Sequence, residues 1–181
     1  MPTVAAGHYG VITEIGDYSN GILLGFDSYN NGCYINGTKI TANTINDSVV
    51  ENTWQHFALV RKGSGSNNIK YYIDGAKVAE HTLTNSINTA PSSKAYIRIG
   101  GATHNSSSWF PDGTLLSNFR LVDGDSIYPA SSDSVPPASI TVPTERSTAV
   151  SGTKIFLDET QQLETSSLEA SLTPQNVVKT D

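Results

Sequence analysis

Charge is scarce in this 181-residue chain. Only 15% of its residues are Asp, Glu, Lys or Arg, against about 25% in an average soluble domain. The 11 basic residues are scattered, and 17 acidic ones leave a formal net charge of -6. Nucleic acid is held by clustered Lys and Arg, so it is not an expected partner. No apolar run approaches the roughly 18 residues a membrane span requires, so no membrane insertion is expected. The opening Met-Pro-Thr-Val-Ala-Ala-Gly-His has neither a basic start nor a long apolar stretch, and no secretory signal is read there. Cys33 is the one cysteine. It cannot form an intrachain disulfide, and between Gly32 and Tyr34 in a strand-like run it reads as a small buried thiol. Helical periodicity is also missing. Only Gln161–Leu172, with Leu163, Leu168 and Leu172, approaches it, and Thr-Ser-Ser in its middle weakens it. A helical bundle or coiled coil is excluded on these grounds.

What replaces charge is uncharged polarity. The chain holds 22 Ser, 19 Thr and 14 Asn, 55 of its 181 residues, with 15 Gly and 8 Pro. Short apolar–polar alternations recur between Gly, Asn, Asp and Ser. Strands are expected near Gly10–Ile15, Gly21–Ser28, Cys33–Ile35, Lys39–Ala42, Trp54–Arg61, Ile69–Asp74, Lys77–Leu83, Ala95–Ile99 and Leu116–Val122. Trp54-Gln55-His56-Phe57-Ala58-Leu59-Val60-Arg61 is so apolar that it reads as a central strand. Asp74-Gly75 lies between two such runs and is a strong hairpin signal, because both turn positions need positive φ. Asn31-Gly32 and Asn36-Gly37 are turns of the same kind. The spacing predicts an all-β fold, an antiparallel two-sheet β-sandwich or jelly roll, whose core holds without a disulfide.

Composition shifts near residue 130, which divides the chain into a sandwich over 1–130 and an arm over 131–181. Three prolines among Ser and Thr in 131–153 predict an extended, linker-like path rather than a packed element. A strand is expected at Thr153–Asp158. Residues 130–181 carry 3 basic and 7 acidic side chains. The arm is either solvated or docked, and Ile155, Phe156 and Leu157 are too apolar to favour solvation.

The stretch from Asn52 to Tyr128 resembles a laminin-G-like, concanavalin A-like jelly roll. The resemblance rests on Trp54–Arg61, Tyr71-Tyr72-Ile73-Asp74-Gly75, Ile97-Arg98-Ile99-Gly100-Gly101 and Phe110–Val122. Gly124, Ile127-Tyr128, Pro136-Pro137 and Gly152–Leu157 are similar to the exit of such domains in bacteriophage tail fibres and virion surface proteins. The resemblance therefore implies a bacteriophage virion protein, of tail-fibre or capsid-decoration type. Members usually begin with a strand carrying Glu and Trp, ahead of the region that aligns with Val11–Ile15. That strand is not read here, and its lack would leave an open sheet edge. The Thr153–Asp158 run, the first ten residues or a neighbouring subunit's strand are the candidates to cover it. A homo-oligomer or strand-exchanging assembly is accordingly expected.

Catalytic chemistry finds no footing. Glucan-cleaving enzymes of the resembled fold use a Glu-x-Asp-x-x-Glu strand, which aims carboxylates at one face, and it is absent. Asp123-Gly124-Asp125 reads as a turn and Asp158-Glu159 as a solvated exit. His8, His56, His81 and His104 are far apart and show no metal-ligand spacing; His56 belongs to the resembled strand pattern and reads as structural. No nucleophile elbow or phosphate loop is present, and Gly63-Ser64-Gly65-Ser66 reads as a flexible hairpin loop. No cofactor is expected. Calcium often sits on loops of the resembled fold and would find oxygen ligands in Asp17, Asp27 and Asp112, but without EF-hand-like clustering.

Sugar binding calls for aromatic faces beside planar polar groups. Two loops have that composition, Ala102–Asp112 and Asp27–Asn31, and the candidate carbohydrate-binding residues are Trp109, His104, Asn105, Tyr29 and Asn30. The resemblance places Phe110 inside the sandwich, which would turn Trp109 outward. Two functions follow. One is a non-enzymatic virion surface protein, a capsid decoration or tail appendage that contacts other virion proteins and a host-surface glycan. The other is a free-standing carbohydrate-binding module or a fragment of a larger adhesin.

Overall fold

The computed structural model describes residues 10–17, 20–26, 32–41, 48–50, 52–87, 97–101, 114–124, 126–128, 135–157 and 163–164. Their regular elements are strands: β1 Gly10–Asp17, β2 Asn20–Phe26, β3 Gly32–Ile35, β4 Thr38–Thr41, β5 Phe57–Arg61, β6 Ile69–Ile73, β7 Ala76–His81, β8 Ile97–Ile99, β9 Leu115–Leu116, β10 Phe119–Val122, β11 Thr153–Leu157 and β12 Leu163–Glu164. A five-stranded sheet runs β4-β3-β2-β1-β8, and a three-stranded one runs β5-β6-β7. The pairs β10-β11 and β12-β9 complete the set. All these pairings are antiparallel. The expected all-β sandwich is what the chain forms.

Two hairpins are made as the turn residues dictate. Asn36 and Gly37 (φ 48° and 74°) join β3 to β4, and Asp74 and Gly75 (φ 49° and 81°) join β6 to β7. Paired positive φ matches the right-handed twist of the flanking strands. Asn31 lies outside the described residues, so the Asn31-Gly32 turn is not placed.

Two expected elements differ. The run Leu116–Val122 is split into β9 and β10, because Asn118 takes φ 56° and breaks the extended path. The run from Trp54 becomes a strand only at Phe57, after a turn in which Asn52 takes φ 55°. Trp54 therefore precedes the strand and is 62% exposed. The strand is also not central among the described residues: β6 is, with all five residues buried, while β5 is the end strand of its sheet. Within Gln161–Leu172, Leu163 and Glu164 pair as strand β12 rather than entering a helix.

Alternation sorts side chains between the two layers. Ile12, Leu24, Cys33, Ile35 and Ile40 of the larger sheet meet Ile69, Tyr71 and Ile73 of β6, with Phe57 and Leu59 packed against them. Each fully buried Ile or Leu here contributes about 1.5–3 kcal/mol relative to exposure. The Tyr71 hydroxyl donates across the layers to the Gly25 carbonyl at 3.2 Å, which satisfies a polar group in the core.

The opposite face of the small sheet is covered by residues 135–142, the stretch read as an unpacked path. It is extended, as its prolines require, but it is packed. Pro136 and Ile140 are buried, and Ile140 joins Ala58, Val60 and Tyr72 in a second apolar cluster. The Ile140 N–H donates to the Gly75 carbonyl at 2.9 Å, and Ser139 bridges Ala76. Lys70 Nζ donates to the carbonyls of Pro136 (2.7 Å) and Pro137 (3.4 Å), and the Tyr72 hydroxyl to Pro137 (2.6 Å). Composition missed this because the groups that hold the stretch are main-chain carbonyls, which every residue has. The Thr153 run also docks, as β11 against β10.

Candidate functional site

A cleft of about 1410 Å³ opens between β5 and β10. Its floor reaches the inner layer at Ile12, Leu24 and Ile35, and one mouth is formed by Trp54, Gln55, His56, Asp74 and Tyr128. The mouth is built by the hairpin turn. Asp74 Oδ1 accepts the His56 main-chain N–H at 2.8 Å, and Oδ2 accepts from Gln55 Nε2 at 2.8 Å. Gln55 also donates to the Ser48 carbonyl and accepts from the Val50 N–H, both at 2.7 Å. The polar groups that follow Trp54 in the chain are thus tied to one another, and Trp54 itself is 62% exposed.

His56 and Tyr128 form the inner wall. The Tyr128 hydroxyl and His56 Nε2 are 3.2 Å apart, with the rings edge to face at 6.3 Å. His56 Nδ1 is buried without a hydrogen-bond partner among the described residues. Burial lowers the imidazole pKa below its ordinary 6.5; Asp74 opposes this and Arg120 reinforces it. Burial raises the Tyr128 phenol, with Arg120 pulling the other way. Both groups are therefore held neutral near pH 7. Asp74 binds the main chain of His56, not its ring, so the three side chains are not a charge-relayed nucleophile and base. Ser126 Oγ bonds the main chain of Tyr128 and does not reach the imidazole by any hydrogen bond described.

Trp109, His104, Asn105, Tyr29 and Asn30 lie outside the described residues, as do Asp27, Asp112, Asp125, Asp158 and His8. Asp17 is described by its backbone alone, at the end of β1. Asp123 is exposed beside Gly124, as a turn residue would be. Among the described residues no three His, Cys, Asp or Glu side chains gather as metal ligands. No helix among them is long and apolar enough to cross a membrane.

Trp54 is the residue that the sequence reading passed over. Its neighbours Phe57, Leu59 and Val60 suggested one continuous strand. The signal that would have found it is Asn52-Thr53 just upstream, a pair suited to a turn and poor in a strand.

A family model, Laminin_G_3, described as the concanavalin A-like lectin/glucanases superfamily, matches residues 2–124. No curated protein and no solved structure matches the chain.

Proposed function

The chain belongs to the concanavalin A-like lectin/glucanases superfamily, and from that membership we propose that it is a non-catalytic, carbohydrate-binding adhesion domain. The observation that carries the reading is Trp54, 62% exposed at the cleft mouth on a base cross-linked by Gln55 and Asp74. A sugar ring stacks its C–H face on such an indole, and a fixed base spares the entropy of ordering it. The neutral His56–Tyr128 pair and the engaged Asp74 carboxylate favour binding over turnover. The sequence-nominated loop around Trp109, with His104, Asn105, Tyr29 and Asn30, is the competing location for the sugar.

We further propose display on a bacteriophage virion, as a capsid decoration or tail appendage. The support is the resemblance of Pro136-Pro137 and Gly152–Leu157 to the exit of virion domains. Fractionated virions probed with antibody to this chain test that part, and its absence from particles would reject it.

A glycan array probed with the full chain, Trp54→Ala and Trp109→Ala tests the binding. Trp54→Ala is expected to abolish the signal with the fold intact. Loss with Trp109→Ala but not Trp54→Ala would move the site to the 102–112 loop and reject Trp54. Strong hydrolysis of a bound polysaccharide would reject the non-catalytic reading.

A further inference from the structure

Trp54, Gln55, His56, Asp74 and Tyr128 form one mouth of the cleft, and with His56 held neutral Asp74 is the charged residue among them. It sits on the hairpin turn between β6 and β7, exposed, at φ 49°. Among the described residues Lys77 and Glu80 form the one ion pair, so no Lys or Arg there neutralises Asp74. Arg120 acts on His56 and Tyr128, but its Nη1 donates to the Thr148 carbonyl at 2.7 Å. The mouth therefore presents a negative charge that these residues leave uncompensated.

Its hydrogen-bonding capacity is also unspent. An ionised carboxylate offers about four lone-pair sites. The described bonds fill one on each oxygen, from the His56 N–H and from Gln55 Nε2, both at 2.8 Å. These two anchors hold the carboxylate in place and leave about two acceptor sites open. Gln55 has no such reserve: its amide hydrogens go to Ser48 and Asp74, and its oxygen takes the Val50 N–H. The mouth is thus rich in acceptors and poor in donors. Trp54 is close by. The bond from the His56 N–H to Asp74 Oδ1 puts that oxygen no more than about 9.5 Å from the Trp54 Cα, by the reach of the intervening main chain. One or two linked sugar rings span that distance.

We propose that the site at Trp54 takes a sugar bearing a free amino group, a deacetylated hexosamine, whose ammonium donates to Asp74 while a ring of the glycan stacks on Trp54. The inference rests on the sugar-binding reading of Trp54 and names the class of sugar. An ammonium brings three donors and a positive charge to a place that holds spare acceptors and a negative one. Hydrogen bonds between ionised partners are roughly twice as strong as neutral ones, and an ammonium is also attracted to an indole face. N-acetylation removes the charge and leaves a neutral amide. A uronic or sulfated sugar brings a like charge to Asp74 and is disfavoured. Both Trp54 and Asp74 are exposed, so water screens the attraction and the preference is modest.

The test is calorimetric titration of the intact chain with tetramers of glucosamine, N-acetylglucosamine and galacturonate, near pH 6.5 so that the amines are largely charged. In about 20 mM salt the glucosamine tetramer is expected to bind about threefold to thirtyfold more tightly than its N-acetylated form, with galacturonate the weakest. Salt at about 0.5 M should narrow the preference to about twofold or less. Trp54→Ala should weaken both hexosamine tetramers. Asp74→Asn keeps an oxygen for the His56 N–H and a residue that accepts positive φ, and it should bring the two tetramers to similar affinity. Equal or tighter binding of the N-acetylated tetramer by the parent, a preference that salt does not reduce, or one that survives in folded Asp74→Asn would overturn the proposal. The parent comparison decides the matter even where Asp74→Asn does not fold. Binding of neutral sugars without preference for the amine would sink this inference and leave the sugar reading standing. Silence of every tetramer at about 1 mM, with a silent glycan array, would sink both.

Discussion

Removing one oxygen atom from Tyr72 tests whether residues 135–142 are a structural layer. In Tyr72→Phe the ring still fills its fully buried place between Ala58, Val60 and Ile140, and only the 2.6 Å bond to the Pro137 carbonyl is lost. An ordinary hydrogen bond contributes about 1 kcal/mol, and a buried partner left unsatisfied costs about 1–3 kcal/mol. Lys70 Nζ, 3.4 Å from the same carbonyl, replaces little of it, because hydrogen bonds weaken beyond about 3.2 Å. The expected loss is about 1.5–2 kcal/mol. For a chain of this length each kcal/mol lowers the melting temperature by about 2–4 °C, so calorimetry should record a fall of about 3–8 °C. A local readout runs beside it: trypsin cleavage after exposed Arg146 should accelerate about tenfold or more if the cover lifts before the sandwich unfolds. Lys70→Met and the double variant close a cycle, with coupling of at least about 0.5 kcal/mol expected between two donors that share one carbonyl. A Tyr72→Phe protein that melts within about 1 °C of the parent and is cleaved after Arg146 at the parent rate would refute the reasoning, because the segment would then not be held by these bonds.

Other outcomes follow from the same geometry. Gly75→Ala forces a side chain onto a residue at φ 81° and drives its Cβ into the Ile140 carbonyl; a loss of about 1–3 kcal/mol is expected in urea titrations, with raised cleavage after Arg146. His56 has a lowered pKa in the folded state, so the unfolded chain binds the extra proton. Its contribution is fully present above pH 6.5 and is lost as pH falls from there through the folded value. Stability measured from pH 7.5 to 5 should therefore fall less steeply in His56→Gln than in the parent, and equal slopes would contradict the burial argument. Cys33 is fully buried and its thiol pKa is raised by desolvation, so a thiol reagent should label it only at the rate of unfolding; rapid labelling in native buffer would count against the packing. Trp54→Ala, at a mostly exposed site, should change stability by no more than about 0.5 kcal/mol, which chemical denaturation can check alongside the glycan array.

Much of the fold was legible because it depends on local chemistry. Asn36-Gly37 and Asp74-Gly75 adopt the positive φ that few other residues accept. The alternation of Ile69, Tyr71 and Ile73 against Lys70 and Tyr72 puts one row in the core and the other under residues 135–142. Asn118 was the miss of the same kind: its φ of 56° breaks a run whose leucines suggested continuity. The site was less legible. Trp54 looked like a strand residue because hydrophobicity does not distinguish an indole facing the core from one facing water. The nearness of His56 to Tyr128, 72 residues apart, leaves no mark on composition.

From residue order alone came the all-β class, the hairpins, the buried cysteine and the family resemblance. Each of these follows from side-chain periodicity, backbone preference or motif, which act over a few neighbouring residues. Only the tertiary structure decided that the Pro-Pro stretch is a third layer, that the apolar β5 is the end strand of its sheet among the described residues, and that a cleft lies between it and β10. Those facts concern which main-chain donors and acceptors meet across the fold. Every residue but proline carries the same pair of groups, so their partners are settled by position in space and not by identity.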